Sequence, residues 1–302
     1  MALEGDTAVI GAPGDRNGGV TYLDAGKGAA YVFARSGGSW SQQQKLMAGA
    51  DAAFNARVGH SVALSGDTAL IGSPGNEAAF VFVRSGTTWT QQQTLTASNT
   101  VSFGCSVALS GETALVGAEG DSVNLNNNYL QGAAFVYVRT GTVWNLQEKL
   151  LAADGTENDR LGSAVALEGD TALVGARGDE GFKGAAYVFV RPGVAWAQQG
   201  PKLTAGVAGQ PQDYFGAAVA ISGDGALIGA HGDASHQGAA YLFVRTGGTW
   251  NFQRKFVSPN GQIIDSFGYS VALSGDMALV GAPTSRIDGK NVQGAAHLFQ
   301  LD

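Results

Sequence analysis

Short runs in which apolar residues alternate with polar or small ones recur along this chain in sets of four. A period of two sends successive side chains to opposite faces, which is the signature of half-buried strands. The first run of a set is Ser-Val-Ala-Leu, as at Ser61 to Leu64, and the second is Thr-Ala-Leu-Ile-Gly, as at Thr68 to Gly72. The third, Gly-Ala-Ala-Tyr-Val-Phe-Val-Arg at Gly184 to Arg191, has close copies ending at Arg35, Arg84, Arg139 and Arg245. The fourth starts at Trp40, Trp89, Trp144, Trp196 and Trp250 and reaches Leu46, Leu95, Leu150, Leu203 and Phe256. In it Trp40, Gln42, Gln44 and Leu46 point one way and Ser41, Gln43 and Lys45 the other, which predicts an outer strand with one packed and one wet face. No helical period competes with these runs.

The step Leu-Ser-Gly-Asp and its variants mark six units, at Leu3, Leu64, Leu109, Leu167, Ile221 and Leu273, spaced 61, 45, 58, 54 and 52 residues apart. Such spacings suit propeller blades better than helical solenoid units. Small antiparallel sheets hide their faces by stacking radially, so residues 1–302 read as one all-β domain, a six-bladed β-propeller of four-stranded antiparallel blades. Gly117-Ala118 and Gly175-Ala176, at the end of the second strand, would let backbones crowd near the axis. The sixth unit has no Trp-containing run, which predicts a three-stranded last blade whose edge could self-associate with another chain.

Loop lengths separate the two faces of such a propeller. The turn between strands 1 and 2 is always Gly followed by an acid, and four residues separate Arg from Trp in all five turns between strands 3 and 4. The loops between strands 2 and 3 have 16, 4, 14, 8, 8 and 12 residues, and the connections from strand 4 to the next strand 1 vary from 10 to 14. Variable loops on a repeated scaffold are where binding resides. The functional surface is therefore expected there, notably over 13 to 27, 119 to 131 and 282 to 293.

Composition narrows the classes. With 44% hydrophobic residues, 46 Gly and only 14% charged residues, the 302-residue chain is suited to packed strands and tight turns rather than disorder. A net charge of −7 without a Lys/Arg run argues against a nucleic-acid partner, and no stretch has the apolar length for membrane insertion. Cys105 is the sole cysteine, which excludes an intrachain disulfide and reads as a packed thiol. The sequence opens on repeat residues at Met1-Ala2-Leu3, without a charged-then-apolar leader.

Candidate chemistry lies mostly in the loops. The turn acids Asp6, Asp67, Glu112, Asp170, Asp224 and Asp276 and the strand-end arginines are expected to pair across short loops, and the five Trp to act as wedges between blades rather than as sugar platforms. Asp15, Tyr22, Asp24, Asp121, Asn124, Tyr129, Asp179, Asp233 and Asp288 are the candidate ligand contacts of the variable face. No cofactor is expected, apart from Ca²⁺ as an option for the oxygen-rich segments that contain Asp121, Asn126, Asp154 and Asp159. Arg177-Gly178-Asp179 spells the tripeptide that integrins recognise, but Gly-Ala-x-Gly-Asp is the repeat's own consensus. His231 and His236 share a loop with Asp233 and could form a metal or acid/base pair. No nucleophile with a neighbouring base, phosphate loop or glycosidase-type carboxylate pair can be assigned, so catalysis is not expected.

Phe103-Gly104, Phe215-Gly216 and Phe267-Gly268, with Gly-Ala-Pro at Gly11 to Pro13 and Gly281 to Pro283, give the units a resemblance to the FG-GAP repeat of integrin α-subunit heads and bacterial extracellular proteins. Val58-Gly59 and Leu161-Gly162 depart from Phe-Gly. The resemblance implies an extracellular or cell-surface adhesion module that recognises a protein partner. A glycan-binding propeller and a structural or truncated repeat fragment with an open blade edge are the alternatives. The Asp-rich calcium loop of the integrin pattern is shortened here to Ser-Gly-Asp-Thr, as at Ser65 to Thr68, so that calcium site is not carried over.

Overall fold

The computed structural model describes residues 1–302 apart from 17–25, 50–54, 123–128, 260, 262–263, 288–291 and 302. Each unit forms an antiparallel meander, because short alternating runs separated by Gly-acid turns have no other local way to satisfy their backbone groups. Blade 1 comprises β1 (Ala2–Glu4), β2 (Thr7–Ala12), β3 (Ala29–Ser36) and β4 (Ser39–Leu46). Blade 2 comprises β5 (Ser61–Ser65), β6 (Thr68–Ser73), β7 (Ala78–Ser85) and β8 (Thr88–Leu95). Blade 3 is built from β9 (Phe103–Ser110), β10 (Thr113–Ala118), β11 (Ala133–Thr140) and β12 (Val143–Leu150). In blade 4 the strands are β13 (Leu161–Glu168), β14 (Thr171–Ala176), β15 (Ala185–Val190) and β16 (Ala197–Gln198). Blade 5 contains β17 (Ala218–Ser222), β18 (Gly225–Ala230), β19 (Ala239–Thr246) and β20 (Thr249–Phe256). Blade 6 stops at three, β21 (Ser270–Ser274), β22 (Met277–Ala282) and β23 (Ala295–Gln300). The expected all-β, six-bladed propeller architecture with a three-stranded last blade is what forms.

Two details differ from a plain alternating pattern. Register shifts between Val32 and Phe33 in blade 1, and at the same place in blades 2, 3 and 5, leave one extra residue in the outer strand. The bulge overrides strict alternation. Gln43 and Gln44 consequently both reach Trp89 of the next blade, instead of pointing apart. In blade 4 the segment from Trp196 carries Gly200-Pro201, and ladder pairing shrinks to Ala197–Gln198 plus an isolated bridge from Ala186 to Leu203.

Five successive joints hold the blades together, and each is a separate core layer. Between blades 2 and 3, Leu70, Val81 and Leu95 face Phe103, Val116, Phe135 and Tyr137. The Phe of Phe-Gly fills the joint: Phe103, Phe215 and Phe267 are wholly buried, as are Val58 and Leu161 in its place. Phe103 meets Phe135 edge-on at 5.4 Å, a geometry that favours aromatic pairs beyond their buried area. The next residue must be glycine, since Gly104 has φ +87° and a Cβ there would lie 2.3 Å from the Ala78 carbonyl oxygen. Gly117 is equally constrained, with Gly162 O only 2.1 Å from a Cβ position. The crowding anticipated at the axis therefore occurs between neighbouring blades.

Candidate functional site

On the face with uniform turns, five of the six acids meet an arginine of their own blade, and Asp276 of blade 6 accepts from the Gln300 amide instead. Asp6–Arg35, Asp67–Arg84, Asp170–Arg191 and Asp224–Arg245 lie at 2.6 to 2.7 Å, and Glu112 pairs with Arg139. Every one of these guanidinium groups also covers a Trp ring, at 5.1 to 5.6 Å from the centroid. Arg84, Arg139, Arg191 and Arg245 reach back to Thr7, Thr68, Thr113 and Thr171 of the preceding blade. The ring of charge is thus consumed in clamps between blades. Trp89, Trp144 and Trp196 are buried, and each indole N–H, like that of Trp250, donates to a glutamine of the blade before.

The acids of the variable face turn inward. Asp179 accepts the Tyr187 hydroxyl at 2.9 Å and the Lys202 ammonium at 2.8 Å. Asp233 has the same partners in Tyr241 and Lys255, and Asp15 in Tyr31 and Lys45. Asp121, fully buried, lies 2.7 Å from Lys149, as a close ion pair outside hydrogen-bond alignment, over Phe135 where the others have tyrosine. The geometry follows from sequence spacing: the acid ends the Gly-Ala-x-Gly-Asp step, the tyrosine sits on the third strand, and the lysine sits on the fourth strand or, in blade 4, on the segment just past β16. Burial opposes the charge on Lys45 and Lys202, but the hydrogen bonds and attraction of their acids outweigh it and raise both values. Burial likewise raises Tyr187 and Tyr241, with the adjacent carboxylates adding to it.

Asp154 lies 2.9 Å from the Tyr187 hydroxyl and 3.3 Å from Lys202, while Asp159 accepts Thr156 N–H at 2.5 Å and Thr156 Oγ1 at 3.0 Å. A lysine ammonium occupies the positive position beside Asp121, Asp154 and Asp179. Among the described residues, no three His, Cys, Asp or Glu side chains converge as a metal set. Tyr22, Asp24, Asn124, Asn126 and Asp288 lie outside the described residues. Tyr129 is exposed, at 58%.

A polar cavity of about 410 Å³ is lined by His60, Cys105, Glu119, Ser163, Arg177, Ala217, His231 and Tyr269. These residues come from blades 2 to 6, at the start of strand 1 or just past strand 2, which places the cavity on the axis at the variable face. Arg177 grips Glu119 with two bonds of 2.9 and 3.2 Å. His231 stacks on Tyr214 at 5.0 Å and meets Tyr269 edge-on. Burial holds His60 and His231 below the usual histidine value, with Arg57 beside His60 and His236 and Arg177 near His231 adding to it. Burial, with the Glu119 charge, pushes the Cys105 thiol up to about 12, so it stays protonated and poorly nucleophilic. The lining balances its charges and offers hydrogen bonds to an uncharged polar group.

Sequence spacing missed this site because its members lie one or two per unit, at two positions whose lining residues differ from unit to unit. Their shared signal is positional: the residue after Phe-Gly and the residue after Gly-Ala. His231 contributes here through its ring contacts with Tyr214 and Tyr269, while His236 stays near enough to act on its charge.

Residues 40–86, 89–137, 144–189, 196–243 and 250–299 match the FG-GAP repeat. Each matched segment starts on the Trp of one blade and ends in the third strand of the next or, for 40–86, one residue past it, so every repeat ties two blades together. No curated protein matches the chain. The FG-GAP propeller is consistent with a binding scaffold and is typically non-catalytic, and its repeats occur in extracellular or surface proteins. No described helix is long and apolar enough to cross a membrane. With the match spanning most of its length and six blades in the expected order, the chain belongs to the FG-GAP repeat family.

Proposed function

We propose that this chain is a non-catalytic binding and adhesion scaffold, acting outside the cell, that recognises a protein partner through the variable-loop face around the axial cavity. The observation that carries this reading is where exposed apolar side chains gather. Val101, Tyr129, Val207, Ile264, Tyr269, Ile287 and Val292 all stand on that face, whereas the opposite turns expose Trp40, Val143 and Val194. Apolar and aromatic groups that a soluble surface leaves uncovered mark protein contact areas. The inward acids support the same division of labour: they anchor loop roots, leaving the loop crests to make contacts. A polar side chain of the partner entering between Tyr269 and the Arg177–Glu119 pair would add specificity.

A glycan reading through Trp platforms has less support, since most indoles are closed into blade joints. The test is a side-by-side screen of the chain on an extracellular-protein array and a glycan array. Protein hits should be lost in a Tyr129→Ala/Tyr269→Ala variant and kept in Val143→Ala/Val194→Ala, both with unchanged unfolding midpoints. Hits confined to glycans, or equal sensitivity to both variants, would overturn the proposal.

A further inference from the structure

The joint between neighbouring blades is made the same way five times, which defines what each blade face requires. The N–H of a turn glycine donates to the last side chain of strand 1 in the preceding blade: Gly66 to Glu4, Gly111 to Ser65, Gly169 to Ser110, Gly223 to Glu168 and Gly275 to Ser222. The glycine near the end of strand 2 packs against the carbonyl of the next Phe-Gly glycine: Gly11 on Gly59, Gly72 on Gly104, Gly117 on Gly162, Gly175 on Gly216 and Gly229 on Gly268. Apolar residues at matching positions close the layer.

Blade 6 presents the same requirements without a partner among the described residues. Strand β21 does not pack on β1 or β2 as the other inner strands pack on their neighbours. Leu279 and Leu298 are 43% and 63% exposed, whereas the equivalent Leu115 and Val136 are wholly buried. A Cβ at Gly281 would meet only Ser270 of its own blade, with no glycine carbonyl from a next blade. Across the seam, Ile10 is 39% exposed where Ile71 is buried, and Trp40 is 44% exposed where Trp89 and Trp144 bond to glutamines. The outer edge of β23 is also unpaired, since β23 pairs only with β22.

We infer that this seam is a strand-acceptor site, and that its occupant is an extended segment with the repeat's own fourth-strand pattern, Trp through a Gln-rich run to Leu and on to Phe-Gly. One segment of that kind answers the open edge of β23, Leu298, Gly281 and Trp40 in turn. Its strand adds to β23 in the register of the other blades, with its Leu opposite Ala296, as Leu150 lies opposite Ala134 and Phe256 opposite Ala240. The Phe covers Leu298, as Leu161 covers Val136 in the joint between blades 3 and 4. Its following glycine carbonyl reaches Gly281. Its glutamines face the side on which Trp40 lacks one. A second copy of the chain fits less well, because its fourth strands β4, β8, β12, β16 and β20 are already paired within their own blades.

The probe is a fluorescein-labelled peptide of residues 89–104, Trp89 to Gly104, added to the full chain. Saturable one-to-one binding by anisotropy is expected, with slowed amide exchange confined to residues 294–301. Leu298→Asp in the chain, or Phe103→Asp in the peptide, should each weaken binding by at least about tenfold. The peptide change keeps the test valid if the chain variant is poorly folded. Absence of saturable binding, or indifference to both changes, overturns the inference. So does sedimentation showing a dimer that the peptide does not dissociate, which would make a second copy the occupant.

Discussion

The Lys202 ammonium lies 2.8 Å from both carboxylate oxygens of the buried Asp179, bridging an outer strand segment to the root of a variable loop. Lys202→Met removes the charge and keeps the stem, leaving the buried carboxylate without its counter-charge. Breaking a buried pair from one side costs roughly 3 kcal/mol, and the partly exposed lysine puts the expectation at or somewhat below that figure. Adding Asp179→Asn should recover part of the loss. Denaturant melts of the two variants check both statements, and an unchanged midpoint in Lys202→Met would show that the pair contributes nothing.

The same lysines bear on calcium. Lys149 and Lys202 put a positive charge beside Asp121, Asp154 and Asp179, at 2.7 to 3.3 Å. A divalent ion entering there would have to displace an ammonium and gather six to eight oxygens. Thermal unfolding with a chelator and with millimolar Ca²⁺ should give coincident midpoints. A rise with Ca²⁺ that saturates would show a loop site.

The blades were legible in the sequence because a period of two, repeated six times, leaves no other way to bury Val116, Leu173 or Phe103. Loop chemistry was less legible. The string Gly-Ala-x-Gly-Asp does not reveal that its acid meets a tyrosine 8 to 16 residues further on and a lysine 22 to 30 residues further on, yet the match is visible afterwards. Blade 2 has no acid at that position, and there Phe80 and Thr94 replace the tyrosine and lysine. Blade 6 likewise has Ser285 with His297. The axial cavity was hidden for the opposite reason, since His60, Cys105, Ser163, Ala217 and Tyr269 occupy one repeat position with five different side chains.

Two partly desolvated histidines at the axial cavity give the fold a pH dependence. Both His60 and His231 have folded-state values held below the ordinary 6.5 by burial. The unfolded chain therefore binds protons first as pH falls, so their contribution is complete above about 6.5 and is lost below it, toward the depressed folded values. Asp159 and Asp213 act in the other direction, because burial raises them above 3.8 and favours the folded state in more acidic solution. The unfolding midpoint should fall between pH 7 and about 5.5, and less steeply in His60→Asn/His231→Asn. A wild-type midpoint that rises over that interval would contradict the assignment.

Gly117→Ala tests the blade joints at a single atom. The new Cβ would lie 2.1 Å from Gly162 O and 2.2 Å from Ser106 Oγ, so the backbone of blade 4 must move. Overpacking of this kind costs about 1–3 kcal/mol, and a backbone contact with no room to yield belongs at the upper end. Gly14→Ala is the control, because nothing lies within 4 Å of its Cβ position and its φ is not in the left-handed region. Equal melts for the two variants would mean that the joints are loose.

Arg177-Gly178-Asp179 has the letters of an integrin-binding tripeptide, but both of its charged ends are already engaged. Arg177 forks onto Glu119, Asp179 is held by Lys202 and Tyr187, and the Gly178 N–H donates to Asp159 O at 3.0 Å. A ligand loop must offer its arginine and carboxylate together to a partner, and here one faces the axial cavity while the other is buried. Integrin-bearing cells plated on the native chain should therefore show no adhesion that a free Arg-Gly-Asp peptide can block. The same chain coated after denaturation in urea should gain it, because unfolding releases both ends. Blockable adhesion to the native protein would show that the tripeptide is presented despite these contacts.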